Sequence, residues 1–289
     1  MDPLVEISSK RWPEIRDSFD TRNPRDITGY YMMDIPLRHP ELVDAFSIKV
    51  FCPYGLIENG AVLFIDKGAL KEVVILAKNN NTEQLEKAIV NTKRIDWSEV
   101  LCVPWADAPV TRLMKRVCPK IGVKMIKSTA TIRHVRSKDS EPFEDLEAPP
   151  GTYAAPLDVK HVDQVDRAWV FRYPTSPRFY RTLINNQLTY GLFSTDDHAL
   201  LCWVTICEAG YLTHLFCEEQ HRKKGYAEYL GKYVTNDQLR LGRDVFCYVV
   251  EDNLASMKLF RKLDYDVIGR GVWMYFTRED KVKENAGLV

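Results

Sequence analysis

The stretch Leu215-Phe-Cys-Glu-Glu-Gln-His-Arg-Lys-Lys-Gly-Tyr-Ala-Glu-Tyr-Leu230 decides how this chain is read. It passes from an apolar strand, through a short polar and basic turn, into an amphipathic helix. Its centre, Arg222-Lys-Lys-Gly-Tyr-Ala227, fits R/Q-x-x-G-x-G/A. The first backbone N–H groups of a helix have no intrahelical partner and stand at the positive end of the helix dipole. A turn of this kind is therefore an anion site. Gly225 lets the backbone come close to a bulky anion, and Arg222, Lys223 and Lys224 add positive charge around it. The ligand that fits such a turn is a pyrophosphate.

A second element follows. Val245-Phe-Cys-Tyr-Val-Val250 reads as a strand. It leads into Glu251-Asp-Asn-Leu-Ala-Ser-Met-Lys-Leu-Phe-Arg-Lys-Leu-Asp-Tyr265 and a final strand, Val272-Trp-Met-Tyr-Phe276. In this order the segments resemble the GNAT acyltransferases. The first resembles their acyl-CoA-binding turn. The second is similar to N-x-x-A/S-x-x-x-Y/F-x-x-x-G-F, with Asp264-Tyr265 where Gly-Phe is usual. Trp169 within Asp166-Arg-Ala-Trp-Val-Phe171, Phe179, and Cys202-Trp203 are similar to landmarks of the glycine N-acyltransferase-like branch. That likeness covers roughly residues 151–276 and is looser over the N-terminal half.

The resemblance implies an acyl-CoA or acetyl-CoA donor and no metal. The strand before the turn, residues 211–217, would carry a bulge and splay from its neighbour, so that backbone at Leu215, Phe216 and Cys217 pairs with the pantetheine arm. Arg222, Lys223, Lys224, Gly225, Tyr226, Ala227, Asn253, Ser256 and Phe260 complete the implied CoA-binding set. The catalytic candidates are Tyr211, Tyr248 and Asn253. Family members place Glu or His at the position of Tyr211. Tyr, with an ordinary pKa near 10, is a poor base at neutral pH, but two facing tyrosines can order a water. As an alternative, both only pack the cleft wall. The family's proton donor to the leaving thiolate, a Tyr, is matched by Phe260, which cannot donate. Asn253 also suits the N-cap of the helix after it.

His214 lies, by strand alternation, on the opposite face from Tyr211 and Thr213 and reads as a packed or surface histidine. His221 reads as solvent-facing. Trp169 and Trp203 read as core packing. For an acceptor with a carboxylate, Arg172, Arg178 and Arg181 are the candidates, because Arg binds carboxylates bidentately. Each alone also reads as a solvated helix charge.

The chain has 289 residues, 45% apolar and 28% charged, and a formal net charge of zero. That is enough for two ordinary domains and gives no global pull towards nucleic acid. No apolar run approaches a bilayer span, and Met1-Asp-Pro-Leu-Val-Glu6 does not read as a secretory signal. The cysteines at 52, 102, 118, 202, 207, 217 and 247 form no C-x-x-C pair. They read as reduced core residues of an intracellular protein, cytoplasmic or mitochondrial.

Strands are expected at residues 45–52, 61–66, 72–77, 100–103 and 125–135, with helices at 82–90 and at 110–118, the latter closed by Pro119. The proline-rich acidic stretch 138–150 reads as a linker. Helices at 159–171 and 177–186, strands at 190–194, 199–207 and 211–217, and a helix at 224–241 then lead to the final segments. Both halves run strands, helix, strand, helix, strand. The expected fold is α+β, a mixed and mainly antiparallel sheet flanked by helices, in two tandem GNAT-like halves. The first half, residues 1–137, would be degenerate, because Asn79-Asn-Asn-Thr82 stands where the phosphate turn should be. Residues 151–280 would be the catalytic half and 281–289 a tail. The leading expectation is an acyl-CoA-dependent N-acyltransferase acting on a small amine such as glycine. The alternatives are a protein N-terminal or lysine acetyltransferase, and a non-catalytic acyl-CoA-binding protein.

Overall fold

The computed structural model describes residues 1–78, 80–144 and 146–285. Apolar runs such as Ala61-Val-Leu-Phe-Ile65 form strands buried on both faces, and amphipathic segments form the helices that cover them. Met1–Ile132, with the segment beginning at Arg270, forms one compact unit, and Arg133–Gly269 forms another. In the first unit the order is β1 (Leu4–Glu6), α1 (Trp12–Arg16), α2 (Ile27–Arg38), α3 (Pro40–Ala45), β2 (Lys49–Pro53), β3 (Ala61–Asp66), β4 (Lys71–Leu76), α4 (Glu83–Asn91), β5 (Leu101–Ala106), α5 (Ala108–Ile121) and most of β6 (Val123–Arg136). The second holds the end of β6, then β7 (Thr152–Ala155), α6 (Val162–Arg167), α7 (Ser176–Asn185), β8 (Thr189–Ser194), β9 (Leu200–Ile206), β10 (Leu212–Cys217), α8 (Tyr226–Arg240), β11 (Val245–Val250) and α9 (Leu254–Lys262). Most of β12 (Asp266–Arg278), followed by α10 (Val282–Asn285), returns to the first unit.

Within the first unit the strands run β1-β2-β3-β4-β5-β12, all antiparallel except β4 with β5. Within the second they run β7-β8-β9-β10-β11, antiparallel except β10 with β11. In each, a helix follows the fourth strand and another follows the fifth. The expected α+β architecture is thus present, with one strand plan repeated. Val62, Val73, Leu85, Val103, Leu113, Met114 and Phe276 centre the core of the first unit. Leu192, Trp203, Leu230, Val234 and Phe246 are fully buried in the second.

Several boundaries differ from expectation for local reasons. Residues 45–52 are split: α3 ends at Ala45, Ser47 turns with φ 45°, and β2 begins at Lys49. Pro119 does not close α5. Its missing N–H removes one bond in the last turn, and the helix runs on to Gly122, whose φ of 64° provides the left-handed cap. The helix expected over 159–171 ends at Arg167, leaving Trp169 in the following turn. The helix expected from Lys224 starts at Tyr226, because Gly225 (φ 81°) is its N-cap.

The stretch expected as a linker, 138–150, belongs to the second unit up to its described limits. Lys138 N donates to Asp244 Oδ1 at 2.9 Å. Asn236 grips Phe143 through both its amide atoms, each at 2.8 Å, and the Arg136 guanidinium lies 4.4 Å from the Phe143 ring centroid. The division into units also differs from a cut at 137 and 280, because β12 pairs with β5. Asp145, Asn79 of the Asn79-Asn-Asn-Thr82 stretch and residues 286–289 of the expected tail lie outside the described residues.

Candidate functional site

The site begins with a fault in β10. Against β9 its register runs Leu212↔Ile206 and Thr213↔Thr205, then Phe216↔Trp203 and Cys217↔Cys202. One extra residue therefore sits between Thr213 and Phe216, which is a β-bulge. His214 takes it up with φ 52°. On the other edge, Leu212 pairs with Cys247 of β11, and no further partner pair is registered along the described strands. The two parallel strands thus meet at their heads and part after them. Backbone beyond Leu212 is left to face the opening.

The turn that follows holds two left-handed residues, Lys223 (φ 62°) and Gly225 (φ 81°). No side chain caps α8. A Cβ built on Gly225 would meet nothing within 4 Å, so the space beside this end of the helix is open. Lys223 and Lys224 are exposed. Arg222 is exposed as well, but its guanidinium is committed to neighbours. Its Nε donates to Cys217 O at 3.2 Å, its guanidinium carbon lies 5.4 Å from the Phe216 ring centroid, and Nη1 is 3.4 Å from Glu219. Arg222 therefore braces the turn, and the two lysines carry its outward charge. Tyr226 stacks on His221 with centroids 6.3 Å apart. Glu228, the acid of the first helical turn, is drawn off by Lys262 and Lys232, which hold its carboxyl below the usual range.

Tyr211 stands just before β10, its ring edge-on to that of Tyr248, with centroids 5.3 Å apart. His214 is not at the surface. Its Nδ1 is 2.9 Å from the Tyr180 hydroxyl, and Trp169, Tyr180, Trp203 and Phe216 surround it at 5.5–6.1 Å. Burial pushes its pKa down to about 3. It is a packed histidine, one of the two expected alternatives, and it sits at the bulge. Asn253 Oδ1 accepts from Ser256 N at 3.1 Å and so caps α9. Phe260 is core, 4% exposed, between His134 (6.0 Å) and Tyr265 (5.2 Å).

The three arginines fall on two segments, Arg172 in the turn before α7 and Arg178 and Arg181 on α7 itself. Arg172 lies 3.7 Å from buried Asp166. Arg178 and Arg181 are on the exposed face of α7, whose other face buries Phe179, Tyr180, Leu183 and Ile184. Trp203 is fully buried, while Trp169 packs among Phe179, Tyr180 and His214. Among the described residues no His, Cys, Asp and Glu side chains cluster where they could hold a metal ion, and no helix is long and apolar enough to cross a membrane.

In the first unit a side chain joins the segments that follow the two parallel strands. There β4 meets β5 only at Lys71↔Leu101 and Glu72↔Cys102 in the registered pairs. Asn80 lies in the connection to α4, and Asp107 caps α5 by accepting from Val110 N at 3.0 Å. Arg25 joins the two. Nε donates to Asp107 Oδ2 at 2.7 Å and Nη1 to Asn80 Oδ1 at 3.0 Å. Nothing in the local sequence around Arg25 marks this role, which only the fold reveals.

Comparison with known proteins bears on the fold. Residues 189–274, from the start of β8 into β12, match the family described as FR47-like protein. No curated protein matches the chain. Among solved structures, a Drosophila protein superposes with a TM-score of 0.84 at 13% identity, over 96% of this chain and 99% of that one. A tandem GNAT protein from the clavulanic acid biosynthesis pathway gives 0.57 at 13% identity, over 95% and 97%. A GCN5-related N-acetyltransferase from Sphaerobacter thermophilus gives 0.57 at 14%, over 95% and 96%. The chain has the GNAT fold.

Proposed function

We propose that this protein is an acyl-CoA-dependent N-acyltransferase that passes an acyl group from the thioester directly to the amine of a small acceptor. The observation that carries this is the uncapped start of α8, with open space in front of Gly225, placed at the end of a strand that parts from its parallel neighbour. The helix N-terminus and Lys223 and Lys224 would bind the CoA pyrophosphate. Backbone at Leu215, Phe216 and Cys217 would pair with the pantetheine arm as an added strand does, and a backbone N–H there would polarise the thioester carbonyl. Tyr226, Ala227, Asn253 and Ser256 would border the bound donor.

No carboxylate or imidazole stands at the Tyr211 position. The amine would then have to arrive neutral, with Tyr211 and Tyr248 ordering a water beside it. The leaving thiolate, with an ordinary thiol pKa near 8.5, departs without a donor at Phe260. Glycine or another amino acid as acceptor rests on the likeness to the glycine N-acyltransferase-like branch. Arg172, beside the Trp169 that packs against His214, would be the carboxylate ligand of choice. The first unit would bind no CoA.

One other reading has a specific observation behind it. Tyr211 in place of a base and Phe260 in place of a donor would also suit a protein that binds acyl-CoA without turning it over. A thiol-release assay with a panel of acyl-CoAs and amine acceptors separates the two. Release that depends on an acceptor supports the transferase, and tight binding with no release under any acceptor supports the carrier.

A further inference from the structure

Cys217 closes β10, and Cys202 lies directly opposite it on β9. The kind of pair they form follows from their neighbours. Glu218 N donates to Leu201 O at 3.0 Å, and by the same register Glu218 and Leu201 are the next opposed pair. Hydrogen-bonded and non-hydrogen-bonded pairs alternate along an antiparallel ladder. Cys217 and Cys202 are therefore a non-hydrogen-bonded pair. In such pairs the Cα atoms stand about 4.5 Å apart and the side chains are at their closest. That separation lies within the roughly 4.4–6.8 Å that a disulfide spans. Both cysteines are free, and the Cys217 thiol donates to Glu218 O at 3.7 Å.

The two sulfurs are chemically unequal. Cys202 is fully buried and Cys217 is half-buried. The Cys202 thiol opposite it lowers the Cys217 pKa, and the charges of Arg222 and Lys224 act in the same direction. The Cys217 thiol and burial push Cys202 up. Burial also raises Cys52 to about 12 and Cys118 to about 11, and holds Cys102 and Cys247 well above the usual thiol value. Nucleophilic attack on a peroxide requires a thiolate that the oxidant can reach, which singles out Cys217.

We propose that Cys217 is a hydroperoxide-reactive thiol and that Cys202 is its resolving partner. The Cys217 sulfur attacks a peroxide oxygen, and the O–O bond breaks. Cys217 becomes a sulfenic acid, giving up two electrons, and the peroxide is reduced to water, or to an alcohol if it is organic. The Cys202 sulfur then attacks the Cys217 sulfur. The S–O bond breaks, and the departing hydroxide takes the Cys202 proton as a second water. In sum, two thiols and one hydroperoxide give one disulfide, one water, and one water or alcohol. The bond would tie β10 to β9 at the residue whose carbonyl oxygen receives Arg222, the brace of the anion turn. This chemistry needs only the two strands and stands whether or not the protein transfers acyl groups.

The test uses full-length protein, reduced, desalted and treated with hydrogen peroxide, then mapped by mass spectrometry. The expected product is two hydrogens lighter, with a peptide joining Cys202 to Cys217 that dithiothreitol releases. Cys202→Ser should instead give a dimedone adduct at Cys217, and Cys217→Ser should give neither product. In the wild type, Cys217 should be consumed roughly tenfold or more faster than Cys118, the other half-buried thiol. Wild-type protein that oxidises at Cys217 no faster than at Cys118, or that accumulates the dimedone adduct without the cross-link, overturns the proposal. Both outcomes are read on the unmutated chain.

Discussion

The ring of Tyr211 meets that of Tyr248 edge to face, with centroids 5.3 Å apart and planes at 87°. Tyr211 precedes Leu212 and Tyr248 follows Cys247, and Leu212 and Cys247 are the pair at which β10 and β11 meet before they part. Two phenols thus flank the point where the strands part, which in the proposed reaction is where the acceptor amine meets the thioester. His214, three residues on, is walled in by aromatic rings and held neutral by burial. If the enzyme lacks a base of its own, the proton must leave the amine before attack.

The pH–rate profile should therefore rise with pH towards the acceptor's own amine pKa, without an enzymatic ionisation between about 6 and 7. Two acceptors of different amine pKa should give profiles displaced by that difference. A common inflection near the ordinary histidine value of about 6.5 would contradict this.

Installing a carboxylate, Tyr211→Glu, should raise the acceptor-dependent rate near neutral pH by about tenfold or more, within the range a positioned general base supplies. Tyr211→Phe should lower it several-fold if the phenol orders a water. No response to either change would mean that Tyr211 only packs the wall.

His214 also makes a prediction about stability. Its folded pKa of about 3 lies below the unfolded value of about 6.5, so between them the unfolded chain binds the extra proton. Stability is then fully kept above pH 6.5 and falls as pH drops towards 3. At pH 5 this one group should cost about 2 kcal/mol, and His134 and His161, also lowered by burial, act in the same direction. Urea unfolding at pH 7 and pH 5 measures the loss. An NMR titration should find the His214 ring unprotonated down to pH 4.5, and a midpoint near 6 would refute the assignment.

In the first unit, Arg25→Ala should destabilise the protein by about 1.5–3 kcal/mol, since it removes charge-assisted bonds to Asp107 and Asn80. CoA affinity should stay unchanged, because the second unit alone would bind it. A second CoA equivalent appearing in Arg25→Ala would show that the first unit is a closed site rather than a degenerate one.

The anion turn was legible because its chemistry needs a glycine and cations at fixed spacing, and Gly225 indeed takes the left-handed conformation that spacing demands. The capping role of Asn253 was legible for the same reason. The repeated strand order could be read from apolar runs alone. What the sequence concealed depends on partners far along the chain. Arg25 reaches Asp107 and Asn80 across the fold. Cys202 meets Cys217 only through strand register, and that register holds only because a bulge absorbs His214. A bulge residue carries no sequence mark, so alternation alone could not name the rings that surround the histidine. Phe260, matched to a motif position, proved to be core because His134 and Tyr265 close around it. Arg178 and Arg181 fit a chemical need but sit on the exposed face of α7, which their spacing from buried Phe179 and Tyr180 already required.

The central claim is that the turn at Gly225 binds the CoA pyrophosphate. Calorimetric titration of CoA into the wild type and into Gly225→Asp tests it directly, with circular dichroism confirming that the variant is folded. Open space around the added Cβ means the substitution has no clash to relieve, only backbone strain and the new carboxylate against the phosphates. The wild type should bind one CoA, and Gly225→Asp should bind at least about a hundredfold more weakly, close to 3 kcal/mol. A folded Gly225→Asp protein that binds CoA as tightly as the wild type would contradict the account.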